Sequence, residues 1–151
     1  MTTSKRHPPG ETPAALEPAL WLVATPIGTA DDITLRACDV LARADVLAAE
    51  DTRRARKLLD LHGIALAGRP LLPYHDHNGP AQRPRLIAAL AAGRSVAYLS
   101  DAGTPLIADP GLALARAAIA DGHEVRAAPG ASAVLAALSV AGLPTDRFFF
   151  A

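Results

Sequence analysis

The sequence predicts an α/β fold: an open, mostly parallel, five-stranded sheet with helices on both faces. Three observations predict it. Short apolar runs alternate with longer segments of helical periodicity. The links between them are mostly short and carry Gly, Pro, Asp or Ser. Polar clusters sit directly after the apolar runs, where a parallel sheet exposes its C-terminal strand ends. Such alternation buries a parallel sheet between two helical layers.

In chain order, residues 1–18 read as a flexible tail, with Pro8, Pro9, Pro13 and Pro18, and order begins near Leu20. Leu20 to Ala24 is a buried strand, ended by the turn Thr25-Pro26-Ile27-Gly28. Asp31 or Asp32 can cap the next helix, with Ile33, Leu35, Ala37, Val40 and Leu41 inward. Asp45 to Ala49 is a strand. A basic helix follows with Arg53, Arg54, Arg56 and Lys57, with Leu58, Leu59 and Leu61 inward, and Gly63 stops it. Pro70 to Tyr74 is a short strand that runs into the polar loop His75 to Gly79. A helix spans about Pro84 to Ala92, with Pro84 in its first turn. Ser95 to Leu99 is a strand, and a helix runs from Asp109-Pro110 to Gly122. Val125 to Ala128 is the fifth strand, and Ala133 to Val140 a helix. Residues 19–146 thus form the domain, and 147–151 are either an ordinary edge strand or, as preferred here, the start of a strand or linker toward a second domain.

Composition limits the function. The chain has 151 residues, 50% hydrophobic and 20% charged, enough for one core. Fifteen Lys and Arg balance 15 Asp and Glu, so the chain is not basic throughout, although a local patch is allowed. One cysteine, Cys38, excludes an internal disulfide and a multi-cysteine zinc site and fits a reducing, cytoplasmic compartment. No apolar run is long enough to span a membrane. There is neither a Gly-x-Gly-x-x-Gly fingerprint nor a Gly-x-x-x-x-Gly-Lys-Ser/Thr loop, which disfavours a nicotinamide enzyme or a P-loop ATPase.

Five polar clusters fall at strand ends. Thr25 to Thr29 is a turn or a ligand border. Glu50-Asp51-Thr52-Arg53 is a helix cap or a grip on a substrate. The cations that follow are a solvated helix face or a contact for an anionic polymer such as RNA. His75-Asp76-His77 has poor metal-ligand spacing, so the loop is either plain surface or touches substrate. Ser100-Asp101-Ala102-Gly103-Thr104-Pro105 has small residues and a glycine that can wrap a cofactor. Pro129-Gly130-Ala131-Ser132 is a strand-to-helix turn or a fifth wall.

Eight stretches in order carry a resemblance: Val23–Gly28, Asp32–Ala37, Ala49–Arg53, Arg56–Leu59, Tyr74–Asn78, Ser100–Pro105, Asp109–Gly111 and Gly142–Phe148. From Leu20 onward the chain resembles the N-terminal domain of the ribosomal RNA branch of the tetrapyrrole (corrin/porphyrin) methylase superfamily. Thr29 stands where that branch usually has Asn, Asp76 where Glu is usual and Ala131 where Pro is usual.

The resemblance implies S-adenosylmethionine-dependent 2′-O-methylation of a cytidine ribose in 16S ribosomal RNA. It implies the small ribosomal subunit as partner, a homodimer, a cytoplasmic location and no membrane. The cofactor would lie between this domain and a second one, so this chain alone is expected to bind it weakly and be inactive. Asp101, Ala102, Gly103, Thr104 and Pro105 would hold cofactor, bordered by Thr25, Pro26 and Gly28. Glu50, Asp51 and His75 would serve the chemistry, with His75 as base. Arg53, Arg54, Tyr74, His77 and Asn78 would bind substrate. The competing readings are a small-molecule or diphthamide-type methylase of the same superfamily, and a non-catalytic nucleotide-binding or dimerisation module.

Overall fold

The protein is described by a computed structural model over residues 14–107 and 109–150. Its strands are β1 (Leu20–Val23), β2 (Val46–Ala49), β3 (Leu71–Pro73), β4 (Val96–Leu99) and β5 (Val125–Ala128). They form one sheet in the order β3-β2-β4-β1-β5, and every pairing is parallel. The helices are α1 (Leu35–Arg43), α2 (Thr52–Leu61), α3 (Gly79–Ala91), α4 (Gly111–Ala120) and α5 (Ala133–Val140). The predicted class is the one observed.

The two-residue period of the strands divides the core. Trp21, Val23, Leu47, Ala49, Ala97 and Leu99 point to one face, where Val40 and Leu41 of α1 and Ala55 and Leu59 of α2 cover them. Leu20, Val46, Ala48, Val96 and Tyr98 point to the other, against Leu86 and Leu90 of α3 and Leu114 and Ala118 of α4. Every residue of β2 and β4 is buried, as expected of strands covered on both sides. α5 buries no residue.

This division positions the site. β1 and β4 are neighbours. The chain leaves β1 toward α1 on one face and leaves β4 toward α4 on the other. Loops that part in this way open a crevice at the C-terminal strand ends.

Several local expectations are corrected. Thr34, not Asp31 or Asp32, caps α1, its Oγ1 accepting from the Ala37 N–H at 3.0 Å. The two acids lie in a preceding 3-10 turn, Ala30–Asp32, and Leu35 is 68% exposed. α3 begins at Gly79, not Pro84, because the Asn78 carbonyl already receives the N–H groups of Ala81 and Gln82. Pro84 is therefore inside the helix. The Pro80 carbonyl loses its i+4 donor, which costs less on this exposed face, where water can replace it.

The tail reading also gives way where residues are described. Arg43 donates to the carbonyls of Ala14 and Ala15 at 2.7 and 3.1 Å, and Leu16 joins the core at 7% exposure. Proline content does not reveal that anchor. Residues 1–13 lie outside the described residues, as do Ala108 and Ala151. Arg147 to Phe150 form no strand, and Phe149 is 90% exposed.

In α2, Leu59 is fully buried while Leu61, expected inward, is 61% exposed. Leu59→Ala is expected to destabilise by about 2–5 kcal/mol. Leu61→Ala should stay within about 0.5 kcal/mol of the parent. Urea unfolding of both variants checks this. Equal losses would contradict the burial assigned to them.

Candidate functional site

Two loops border the crevice, and main-chain hydrogen bonds tie them together. Thr25, just after β1, and Gly103, after β4, form an antiparallel bridge: each N–H donates to the other's carbonyl, at 2.9 and 3.0 Å. Gly103 has φ +80°, and a Cβ there would meet Ile27 Cγ2 at 3.3 Å. Both conditions favour glycine. Buried hydroxyls complete the tie. Thr25 Oγ1 donates to the Ser100 carbonyl at 3.1 Å, and Ser100 Oγ donates to the Gly103 carbonyl at 2.5 Å. Thr104 Oγ1 donates to the Ala131 carbonyl at 2.9 Å, which brings the loop after β5 into the same rim.

The corner after β2 is braced against this pair. Asp101 Oδ1 accepts the Asp51 N–H at 3.0 Å, and Asp101 Oδ2 faces Arg54 Nη1 at 3.7 Å. Asp51 caps α2, accepting from the Arg53 and Arg54 N–H groups at 2.8 and 3.4 Å. The Arg53 guanidinium also lies on it, at 3.1 Å. These Arg53 hydrogen bonds hold the Asp51 carboxyl down to about 2. A cavity of about 280 Å³ opens between this corner and the β1 turn, lined by Thr25, Pro26, Gly28, Arg54, Leu99 and Asp101 among others.

Glu50 behaves differently from its neighbour. Partial desolvation, then the charges of Asp101, Asp109 and Asp76, push its pKa up, while His75 pulls it down. Asp109 is also raised, chiefly by burial. Its Oδ1 accepts from the Gly111 N–H at 2.7 Å and from the Tyr98 hydroxyl at 3.3 Å, and its buried Oδ2 has no partner. His75 Nδ1 is likewise buried without a partner. Among the described residues, no group of three His, Cys, Asp or Glu side chains could hold a metal.

The structure brings Thr25, Pro26, Gly28, Glu50, Asp51, Arg53, Arg54, His75 and Asp101 to one rim, with Ala102 and Thr104 exposed beside them. Gly103 and Pro105 are buried and shape the loop from inside. Tyr74 is corrected as a substrate contact: it is 0% exposed. Its hydroxyl accepts from Arg83 Nε at 3.1 Å, and its ring packs edge-on against Tyr98. Asn78 holds the loop together, with a hydrogen bond at each end of its amide. Oδ1 accepts the His75 N–H at 2.8 Å, and Nδ2 donates to the Pro73 carbonyl at 3.1 Å. His77 is exposed, with its ring 6.0 Å from that of His75. Ser100 and Lys57 stand in clusters that the sequence marks but without a role of their own, and Asp109, which faces Glu50 and Tyr98, is not singled out as a site residue. The Asp109-Pro110-Gly111 stretch is a visible signal, but by itself it reads only as a helix start.

The Asp51 cap carries a pH signature. Its folded pKa lies below the ordinary value of 3.8, so its stabilisation is complete above that value and lost as pH falls toward about 2. Asp51→Asn keeps an acceptor and removes the charge. Urea midpoints of the parent and of Asp51→Asn should therefore converge as pH drops from about 5 to about 2. A gap that stays constant over that window would contradict the assignment.

Comparison with known proteins identifies the family. Residues 19–151 match the family model described as Tetrapyrrole (Corrin/Porphyrin) Methylases. The chain is 57% identical over 142 residues to a "Ribosomal RNA small subunit methyltransferase I" of Mesorhizobium japonicum, covering 93% of this chain and 47% of that one. It is 51% identical over 131 residues to the protein of the same name from Xylella fastidiosa, covering 87% and 47%. It thus spans about half the length of these relatives. Among solved structures, uroporphyrin-III-C-methyltransferase from Thermus thermophilus aligns with a TM-score of 0.60 and 31% identity, covering 85% of this chain and 53% of that one. A conserved hypothetical protein from Aeropyrum pernix K1 aligns at 0.68 and 28%, covering 89% and 46%. No described helix is long and apolar enough to cross a membrane. With its parallel sheet, its bridged crevice and a family match from Ala19 onward, this chain belongs to the tetrapyrrole (corrin/porphyrin) methylases.

Proposed function

We propose that this chain serves the S-adenosylmethionine-dependent 2′-O-methylation of a cytidine ribose in 16S ribosomal RNA. The observation that carries this reading is the 57% identity to a ribosomal RNA small subunit methyltransferase I over 142 residues, 93% of this chain. A second domain, of the size by which the relatives exceed the matched half, would complete the cofactor site. The substrate would place the protein in the cytoplasm. Exposed apolar side chains at Leu135, Val140, Phe148 and Phe149 support a homodimer or a domain contact.

The residues present fit the cofactor. The cavity pairs apolar Ala49, Leu58 and Leu99 with the Asp101 carboxylate. The apolar side suits an adenine, and the acids around Glu50 favour a cationic sulfonium and ammonium. When bound, the cofactor supplies an electrophilic methyl group. The protein's part is to place a ribose hydroxyl against that group, within about 3–3.5 Å, and to take its proton. Asp51, held ionised by Arg53, is a cap and not a proton acceptor. We assign the proton to His75 at Nε2, because Nδ1 is sealed inside the protein. Glu50 would balance the imidazolium charge.

Transfer of labelled methyl groups from S-adenosylmethionine to small ribosomal subunits tests this in the complete gene product. His75→Ala should lower kcat by about 10²–10⁴ with little change in KM for the subunit. An undiminished rate would remove His75 from the chemistry. If ribosomal RNA is never methylated but a porphyrinoid is, the reading carried by the 31% identity to a uroporphyrin-III methyltransferase replaces this one.

A further inference from the structure

The cations of α2 fall into two sets. Arg53 lies on Asp51 and Arg54 faces Asp101, so both are engaged in holding the corner. Arg56 and Lys57 are exposed and, among the described residues, form no ion pair. Helical spacing puts Arg53, Arg56, Lys57 and Asp60 on one stripe. That stripe lines an open groove of about 490 Å³ along the outer side of α2. The adjacent stripe, Arg54, Lys57, Leu58 and Leu61, lines the 280 Å³ cavity beside the β1 turn. Lys57 and Leu61 belong to both walls, so the groove and the cavity lie side by side across a single ridge of α2.

We propose that Arg56 and Lys57 form a phosphate-binding track that guides single-stranded RNA along α2 into the crevice. This rests on the RNA-methylating reading above and goes beyond it by naming the path of the strand. It also moves the phosphate contacts away from Arg53 and Arg54, whose charges are already answered. Phosphate contacts fix register without reading bases, which is what a strand fed into a reaction crevice needs. Two cations are too few for an anionic lipid surface, which is recognised by clusters of about four to eight. Asp60 is the one acid lining the groove and opposes the strand.

The test is the salt dependence of binding of a fluorescent single-stranded RNA of mixed sequence to the complete gene product, read by anisotropy. Each phosphate contact contributes a slope of about −0.7 to log K against log salt, so R56Q/K57Q should flatten the slope by about 1.4. R56K/K57R should keep the parent slope, and Asp60→Asn should tighten binding. Arg85→Gln, on an exposed part of α3, should change nothing. Thermal unfolding of R56Q/K57Q should match the parent, since both side chains are exposed. An unchanged slope in R56Q/K57Q, or equal flattening in Arg85→Gln, overturns the track while RNA methylation stands. Failure of the parent to bind this RNA likewise overturns the track, while methyl transfer to small ribosomal subunits decides the RNA-methylating reading separately.

Discussion

Everything at the rim depends on the pair of main-chain hydrogen bonds between Thr25 and Gly103. The loops that carry them leave neighbouring strands toward opposite faces. Left to themselves they would splay. The bridge closes the mouth of the crevice at a fixed width, and the buried hydroxyls of Thr25 and Ser100 satisfy the carbonyls that the sharp turn directs inward. Burying those polar groups unpaired would cost more than the loops could recover elsewhere. The site is therefore held by backbone geometry, and its side chains are free to differ in chemistry.

Neighbouring acids in this setting take different roles. Asp51 faces the positive start of α2 and a guanidinium, and stays ionised. Glu50, one residue earlier, faces three other acids, and its charge is disfavoured. Asp101 reaches across from the next loop and fixes the corner that separates them. The cations divide in the same way, with Arg53 and Arg54 turned to these acids and Arg56 and Lys57 turned outward. A helix that looks uniformly basic in sequence is thus half brace and half free surface.

The sheet is legible in the sequence because its signals are local. Runs such as Val46 to Ala49 and Val96 to Leu99 are apolar throughout, and a strand covered on both faces has to be. The polar clusters after them fall at the C-terminal strand ends, as their positions in the sequence imply. What stays hidden depends on partners far along the chain. Thr25 meets Ser100, Asp51 meets Asp101, and Arg43 reaches back to Ala14. No periodicity records such pairings. Tyr74 and Asn78 sit in a motif that carries the resemblance, yet one fills the core and the other folds the loop. A motif marks which loop matters without saying which of its side chains face outward.

The strand order has a consequence for how the chain matures. β1 is the first of the five strands to leave the ribosome, yet both of its neighbours come late: Leu20 pairs with Val96 on one side and Val125 on the other. Its Leu-Trp-Leu-Val run must wait without a strand beside it until β4 is made. β2 and β3, by contrast, are joined by a single helix and can pair early. Vectorial synthesis therefore builds this sheet from its β3 edge inward, and β1 docks only when β4 arrives. The step that seats β4 beside β1 is the same step that brings Thr25 to Gly103, so a nascent chain has no crevice until its central strand is in place.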